Sequence, residues 1–238
     1  MNIKLLWGNL AYLCIACSMN PAFAQQPEKE KKAAHARIAY VIYTGGGKFF
    51  NDPVLIRSGN KIKKVQLYKR TASPPVKFRA DGKISLVKAN PDDEETSYTV
   101  YAKAIVPEHM RKVLVVLTPL KKAKGDLLFS TNIIDLSKFK KGDWMFINQT
   151  PRKIGVQIGS KKLRIKPKAS SVYDARAIAK PTNMPIRYSY FHPQHQKWKL
   201  LSASTCVIRP TRREICVFSW NPQSKRIDYH GITFSENG

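Results

Sequence analysis

From Arg37 to the C-terminus the chain is a succession of short runs rich in Val, Ile, Tyr and Phe, broken by Gly, Pro, Asn or Asp, and no apolar period of 3.6 is sustained. A chain patterned this way satisfies its backbone across strands, so an all-β fold is expected. The predicted strands are 37–43, 54–57, 61–69, 76–79, 83–88, 97–106, 112–118, 126–134, 143–148, 153–158, 162–166, 170–178, 186–191, 197–208, 213–220 and 225–234. Val113-Leu114-Val115-Val116-Leu117 is apolar on both sides and predicts a central strand covered on both faces. Ile186, Tyr188 and Tyr190 alternate with Arg187, Ser189 and Phe191, which predicts a strand with the two sets on opposite sides.

Turns are marked by Gly45-Gly46-Gly47, Pro74-Pro75, Asp81-Gly82 and Asn90-Pro91-Asp92-Asp93. Asp81-Gly82, between Val76–Arg79 and Ile84–Val87, reads as a hairpin. Helical pattern is confined to a single turn near Asp135–Phe139. The Lys138–Asp143 stretch then divides the rest into halves of about 100 residues, the size of an immunoglobulin-like sandwich. Two tandem immunoglobulin-like sandwiches are expected, over 37–137 and 142–238, with one larger mixed β domain as the alternative.

The N-terminus carries Lys4, an apolar stretch from Leu5 to about Met19, and Ala22-Phe23-Ala24 ahead of Gln25-Gln26-Pro27. That order predicts a signal peptide over residues 1–24, cleaved after Ala24. Ile15-Ala16-Cys17 offers lipidation at Cys17 instead, with Cys14 where that processing expects Leu. Residues 25–36 are charged and lack an apolar face, so they predict a flexible segment. No later apolar interval is long enough for a transmembrane helix. An exported chain, periplasmic or extracellular and associated with the cell envelope, is therefore expected. Of its 4 Cys, Cys206 and Cys216 remain after cleavage. An even pair in an exported chain predicts a disulfide, here across a hairpin folded about Thr211.

Charge is the strongest functional signal. Against 42 Lys+Arg stand 16 Asp+Glu, and loss of Lys4 with the leader leaves 41 − 16 = +25. A field of that size repels itself and attracts anions. Lys162, Arg164 and Lys166 alternate with Leu163 and Ile165, so a strand would project them from one face about 6.5–7 Å apart. They are the candidate contacts to an anionic partner, with Arg152, Lys153, Arg212 and Arg213 as neighbours. A solvated strand face would carry the same charges, and edge lysines also discourage strand pairing. Tyr188, Tyr190, Phe191, Trp198 and Trp220 can form a stacking platform beside these groups or fill a core.

Motifs for catalysis are missing. Thr44-Gly45-Gly46-Gly47-Lys48 lacks the phosphate-loop spacing, and there is no Gly-x-Ser-x-Gly elbow. His192 and His195 flank Pro193 with no third ligand nearby, and Asp92-Asp93-Glu94-Glu95 lacks calcium-loop spacing. Neither an enzyme nor a cofactor or metal site is expected. Asn148-Gln149-Thr150 fits a glycosylation sequon followed by Pro151.

The segment Gly142-Asp143-Trp144-Met145-Phe146-Ile147-Asn148-Gln149-Thr150-Pro151, with Ile154–Gly159 and Leu163–Pro167, resembles a pattern in uncharacterised exported β-sandwich proteins. The resemblance implies a sandwich module outside the cytoplasm and brings no catalytic residues. The residues add their own reading: Asn148 and Thr150 can bond nearby backbone and end a strand, Gly159 can take a positive φ, and three antiparallel strands follow. The paired sandwiches and basic balance are also similar in architecture to periplasmic pilus chaperones, an analogy that transfers no motif. The expected role is a non-catalytic binding or structural component of the envelope with an anionic polymer or surface as partner. The alternative is an assembly factor or chaperone that completes another envelope protein at an exposed strand edge.

Overall fold

A computed structural model describes residues 36–45, 53–68, 70–89, 97–221 and 223–234. The leader, Cys17, most of 25–36, Gly46-Gly47 and the Asn90–Glu95 turn lie outside the described residues. Within them the first half forms β1 (Arg37–Tyr43), β2 (Val54–Ser58), β3 (Lys61–Val65), β4 (Val76–Phe78), β5 (Lys83–Ala89), β6 (Tyr98–Ile105), β7 (Lys112–Lys124) and β8 (Leu127–Asp135). The second half forms β9 (Trp144–Asn148), β10 (Ile154–Ile158), β11 (Lys161–Ile165), β12 (Ser170–Tyr173), β13 (Thr182–His192), β14 (Lys197–Ile208), β15 (Arg213–Asn221) and β16 (Arg226–Phe234). No helix occurs among the described residues.

The doubly apolar strand β7 organises the first sandwich. It runs parallel to β1 and antiparallel to β8 in a sheet of order β4-β1-β7-β8, which faces a second sheet of order β3-β2-β5-β6. The second half repeats this arrangement strand for strand as β12-β9-β15-β16 facing β11-β10-β13-β14, with β9 parallel to β15. The repeat reaches local detail. Gly59 and Gly159, one hundred positions apart, take φ of 58° and 56° as the first residues of two-residue hairpin turns, a conformation that glycine adopts without a Cβ clash. In this connectivity the first, fourth, seventh and eighth strands of a half share a sheet, whereas an immunoglobulin domain groups its strands as ABED and CFG.

Alternation along β1 and β7 shows how the halves meet. Val41, Val113 and Val115 face the sheet of β2 and β5, where they pack with Ile56, Ile84 and Leu86. Their neighbours Ile42, Leu114 and Val116 face the other way and pack with Met145, Ile147, Ile215 and Val217 of the second sandwich. Phe146, Cys216 and Phe218 then face Val156, Ile186 and Tyr188 of the outermost sheet. The tandem sandwiches are thus stacked as four β layers with three apolar cores, and all described residues fall in one compact unit, His35–Gly238. Tyr40 meets Phe234 edge-on at 4.7 Å across the middle core.

Three local expectations are corrected. Asp81-Gly82 turns the chain, yet β4 pairs with β1 while β5 pairs with β2 and β6 in the facing sheet, so the connection is an arch between layers and not a hairpin. The same holds about Thr211: Cys206 of β14 pairs with Met184, whereas Cys216 of β15 pairs with Phe146 and Gly231 in the other sheet. Both thiols are free, and the expected cross-strand disulfide is not formed. Burial pushes the Cys216 thiol up to about 12, only partly offset by the neighbouring Tyr188 side chain. Finally, β10 and β11 form the predicted hairpin, but β9 belongs to the inner sheet.

The turn between β9 and β10 follows the predicted chemistry. Asn148 Oδ1 accepts from Thr150 N (2.9 Å) and Oγ1 (2.8 Å), while its Nδ2 donates to the carbonyls of Arg152 (2.7 Å), Ile165 (3.1 Å) and Lys166 (3.1 Å). Asn148 is fully buried, so in the folded chain it is a structural amide and not an accessible glycosylation site.

Candidate cation and aromatic face

The outer sheet β11-β10-β13-β14 brings several predicted residues onto one surface. Alternation leaves Leu163 and Ile165 inward and Lys162 and Arg164 exposed, and Lys166, just past β11, is exposed as well. Register extends this column across the sheet. Lys162 aligns with Gln157 and Arg187, and Arg164 aligns with Gly155 and Ser189. Lys153 precedes β10 on the same edge of the pattern, and its Nζ sits 5.7 Å from the centre of the Phe191 ring.

Gly155 explains how an aromatic joins these cations. A Cβ there would stand 2.6 Å from Ser189 Oγ and 3.1 Å from the Trp198 ring. The missing side chain therefore lets Trp198, two strands away on β14, lie across Ser189 onto the position facing Arg164. Trp198 is 39 % exposed, packs edge-on against Phe191 at 5.7 Å, and has the exposed Leu200 beside it on β14. By register Lys162, Arg164, Arg187 and Lys153 project from the same face as this ring, on strands about 4.8 Å apart. In the sequence Arg187 reads only as one side of an alternating strand, and Gly155 only as part of a strand run. Outward alternation of Arg187 and Phe191 was the available signal for the first, whereas nothing local marks Gly155.

The other candidates go elsewhere. Tyr188 is core, in edge contact with Phe218 (5.1 Å) and Tyr229 (4.8 Å). Arg213 is a correction: it is 7 % exposed, with its guanidinium 4.8 Å from the centre of Phe234 and 5.7 Å from that of Phe139, so it serves the interface of the two sandwiches. Burial lowers its pKa, opposed by Tyr40 and Asp143. Arg212 is exposed at the arch before β15, where its carbonyl accepts from Gly142 N. Arg152 lines a cleft at the junction of the halves.

His192 and His195 meet at a tilt with ring centres 4.4 Å apart. Desolvation first, then the charges of Lys199, His195, Arg152 and Lys197, hold His192 below the usual imidazole value. No cluster of three or more His, Cys, Asp or Glu suited to a metal occurs among the described residues. The surface can therefore do two things by direct contact: offer fixed positive charge to phosphate or carboxylate groups, and present a flat ring for stacking. No protein-family model matches this chain, and no curated protein matches it significantly.

Proposed function

We propose that the protein is an exported, non-catalytic binding component of the cell envelope whose partner is an acidic polysaccharide or a similar anionic polymer lying across the outer sheet of the second sandwich. One observation carries this reading: an exposed Trp198 laid over Gly155, the residue paired with Arg164, on the face that also carries Lys162, Arg187 and Lys153. Fixed cations at strand spacing suit a repeating anion, and the indole supplies a face for a sugar ring. The leader pattern and the +25 mature charge support the location and the sign of the partner.

Heparin serves as the probe, compared with uncharged dextran by calorimetry at low and high salt. Binding to heparin weakens with salt because bound cations displace counterions. Lys162→Ala with Arg164→Ala lowers the salt dependence by roughly two contacts, and Trp198→Ala weakens binding without changing that dependence. Heparin affinity that is the same in these variants as in the parent, or insensitive to salt, defeats the proposal.

A further inference from the structure

A second feature stands apart from the outer sheet. At the ends of β1 and β9, where the two inner sheets release the chain, lies a cleft of about 1380 Å³ lined by both sandwiches. Its volume exceeds the roughly 300–1,000 Å³ of pockets for drug-sized ligands. A hydrogen-bonded chain crosses its wall from one half to the other. Thr44 Oγ1 meets Thr118 Oγ1 at 3.2 Å, Thr118 Oγ1 donates to Gln149 Oε1 at 3.4 Å, and Lys168 Nζ donates to the same oxygen at 3.3 Å.

That chain fixes the Gln149 amide. Lysine can only donate, so the oxygen must face Lys168 and the two N–H groups must face away from it. Gln149 is 5 % exposed, and its Nε2 has no hydrogen-bond partner among the described residues. The buried Nη1 of Arg152, also in the cleft wall, has none either. A buried donor without a partner is destabilising, and a charged one more so. Arg70 and Lys121 add positive charge from the first sandwich, and among the described residues the only carboxylate of the lining is that of Asp228, which accepts from Asn221. Desolvation lowers the pKa of Lys168, in keeping with a cation drawn partly out of water. The rest of the lining includes apolar groups, among them Leu120, Leu201, Trp220 and Ile227.

We infer that this cleft is a binding site for an amphiphilic anion, whose phosphate or carboxylate head meets Arg152, Lys168 and the Gln149 amide while its apolar body lies against Leu120, Leu201 and Trp220. The head brings acceptors to the wall where these donors lack partners, and the apolar lining gives the site a preference that a bare anion cannot exploit. The site is separate from the proposed polymer face, since it shares none of Lys162, Arg164 or Trp198.

The test uses the full chain and calorimetry with dodecyl phosphate below its micelle concentration, beside inorganic phosphate and dodecyl maltoside. Dodecyl phosphate is expected to bind one to one and to raise the melting temperature, with inorganic phosphate at least tenfold weaker and the maltoside without effect. Arg152→Gln with Lys168→Gln is expected to weaken it at least tenfold. Leu120→Glu, which sets a carboxylate on the apolar wall, is expected to weaken it as well. Lys162→Ala with Arg164→Ala leaves it unchanged, which separates this site from the polymer face. Equal affinity for inorganic and dodecyl phosphate overturns the amphiphile, and equal affinity for dodecyl maltoside overturns the role of charge. Absence of binding, or binding indifferent to the Arg152 and Lys168 changes in variants whose circular dichroism matches the parent, overturns the site.

Discussion

Asn148 is the side chain whose loss most directly tests how the second sandwich is held together. Its amide ties the end of β9 to the start of β10 through Arg152, and to the end of β11 through Ile165 and Lys166. Replacement by Ala removes three donated and two accepted hydrogen bonds and leaves Thr150 N without its acceptor in a buried site. With about 1 kcal/mol net per bond, and some lost bonds sharing the same two amide hydrogens, the expected cost of Asn148→Ala is about 3–5 kcal/mol. That is a large part of a total stability of about 5–15 kcal/mol. In urea, with a slope of about 2 kcal/mol/M, the midpoint should fall by about 1.5–2.5 M at unchanged slope.

Asn148→Asp sharpens the reasoning. It keeps the acceptor for Thr150 and turns a carboxylate toward three carbonyl oxygens, so the charged form is disfavoured and the folded-state pKa rises above the unfolded value of about 3.9. The folded state then binds the extra proton, and stability relative to the parent must fall as pH rises from about 4 through the raised pKa. Thr150→Val, which removes only the hydroxyl that bonds Asn148 and Arg152 N, should cost about 1–2 kcal/mol. A loss below 1 kcal/mol for Asn148→Ala, or a loss for Asn148→Asp that does not grow with pH, refutes the reasoning.

Three further predictions rest on other parts of the fold. With Ellman's reagent at pH 8, half-buried Cys206 should be modified before Cys216, whose thiol at about 12 should react only as the chain unfolds; free-thiol reactivity of Cys216 in native buffer would contradict its placement. Side-chain and backbone hydrogen bonds from Arg176, with its charge, hold Asp174 at about 2, so its contribution is present above the unfolded pKa and lost as pH falls through about 2. An NMR titration should show Asp174 returning to the ordinary carboxylate range in Arg176→Gln. Gly59→Ala and Gly159→Ala each force a side chain into the left-handed region and should each cost about 1–2 kcal/mol in chemical denaturation, and a neutral result at either would break the equivalence of the two hairpins.

Strand alternation was legible because period two follows from local geometry: the inward Ile186 and Tyr188, the outward Arg187, and the Lys162–Arg164 face lie where their spacing puts them. The Asn148 turn and the Gly159 hairpin were legible for the same reason, since each is decided within a few residues. Arg213 was not. Its flanking sequence is basic, like that of Arg212, and only the approach of Phe139 and Phe234 from distant strands buries it. The Trp198 platform was equally hidden, because it needs a glycine two strands away from the tryptophan.

The sequence by itself determined that the chain builds β layers, that β7 lies buried on both faces, and that its surface is cationic, all consequences of which side chains alternate and how many charges they bear. Only the tertiary structure decided which neighbours pair. A short connection such as Asp81-Gly82 or Arg209–Arg212 permits either a hairpin within one sheet or an arch between two, and the choice falls to whichever distant strands offer open hydrogen bonds and complementary apolar faces. The same long-range selection stacked the two sandwiches into one molecule, because the second apolar face of β7 is satisfied only by the inner sheet of the other half.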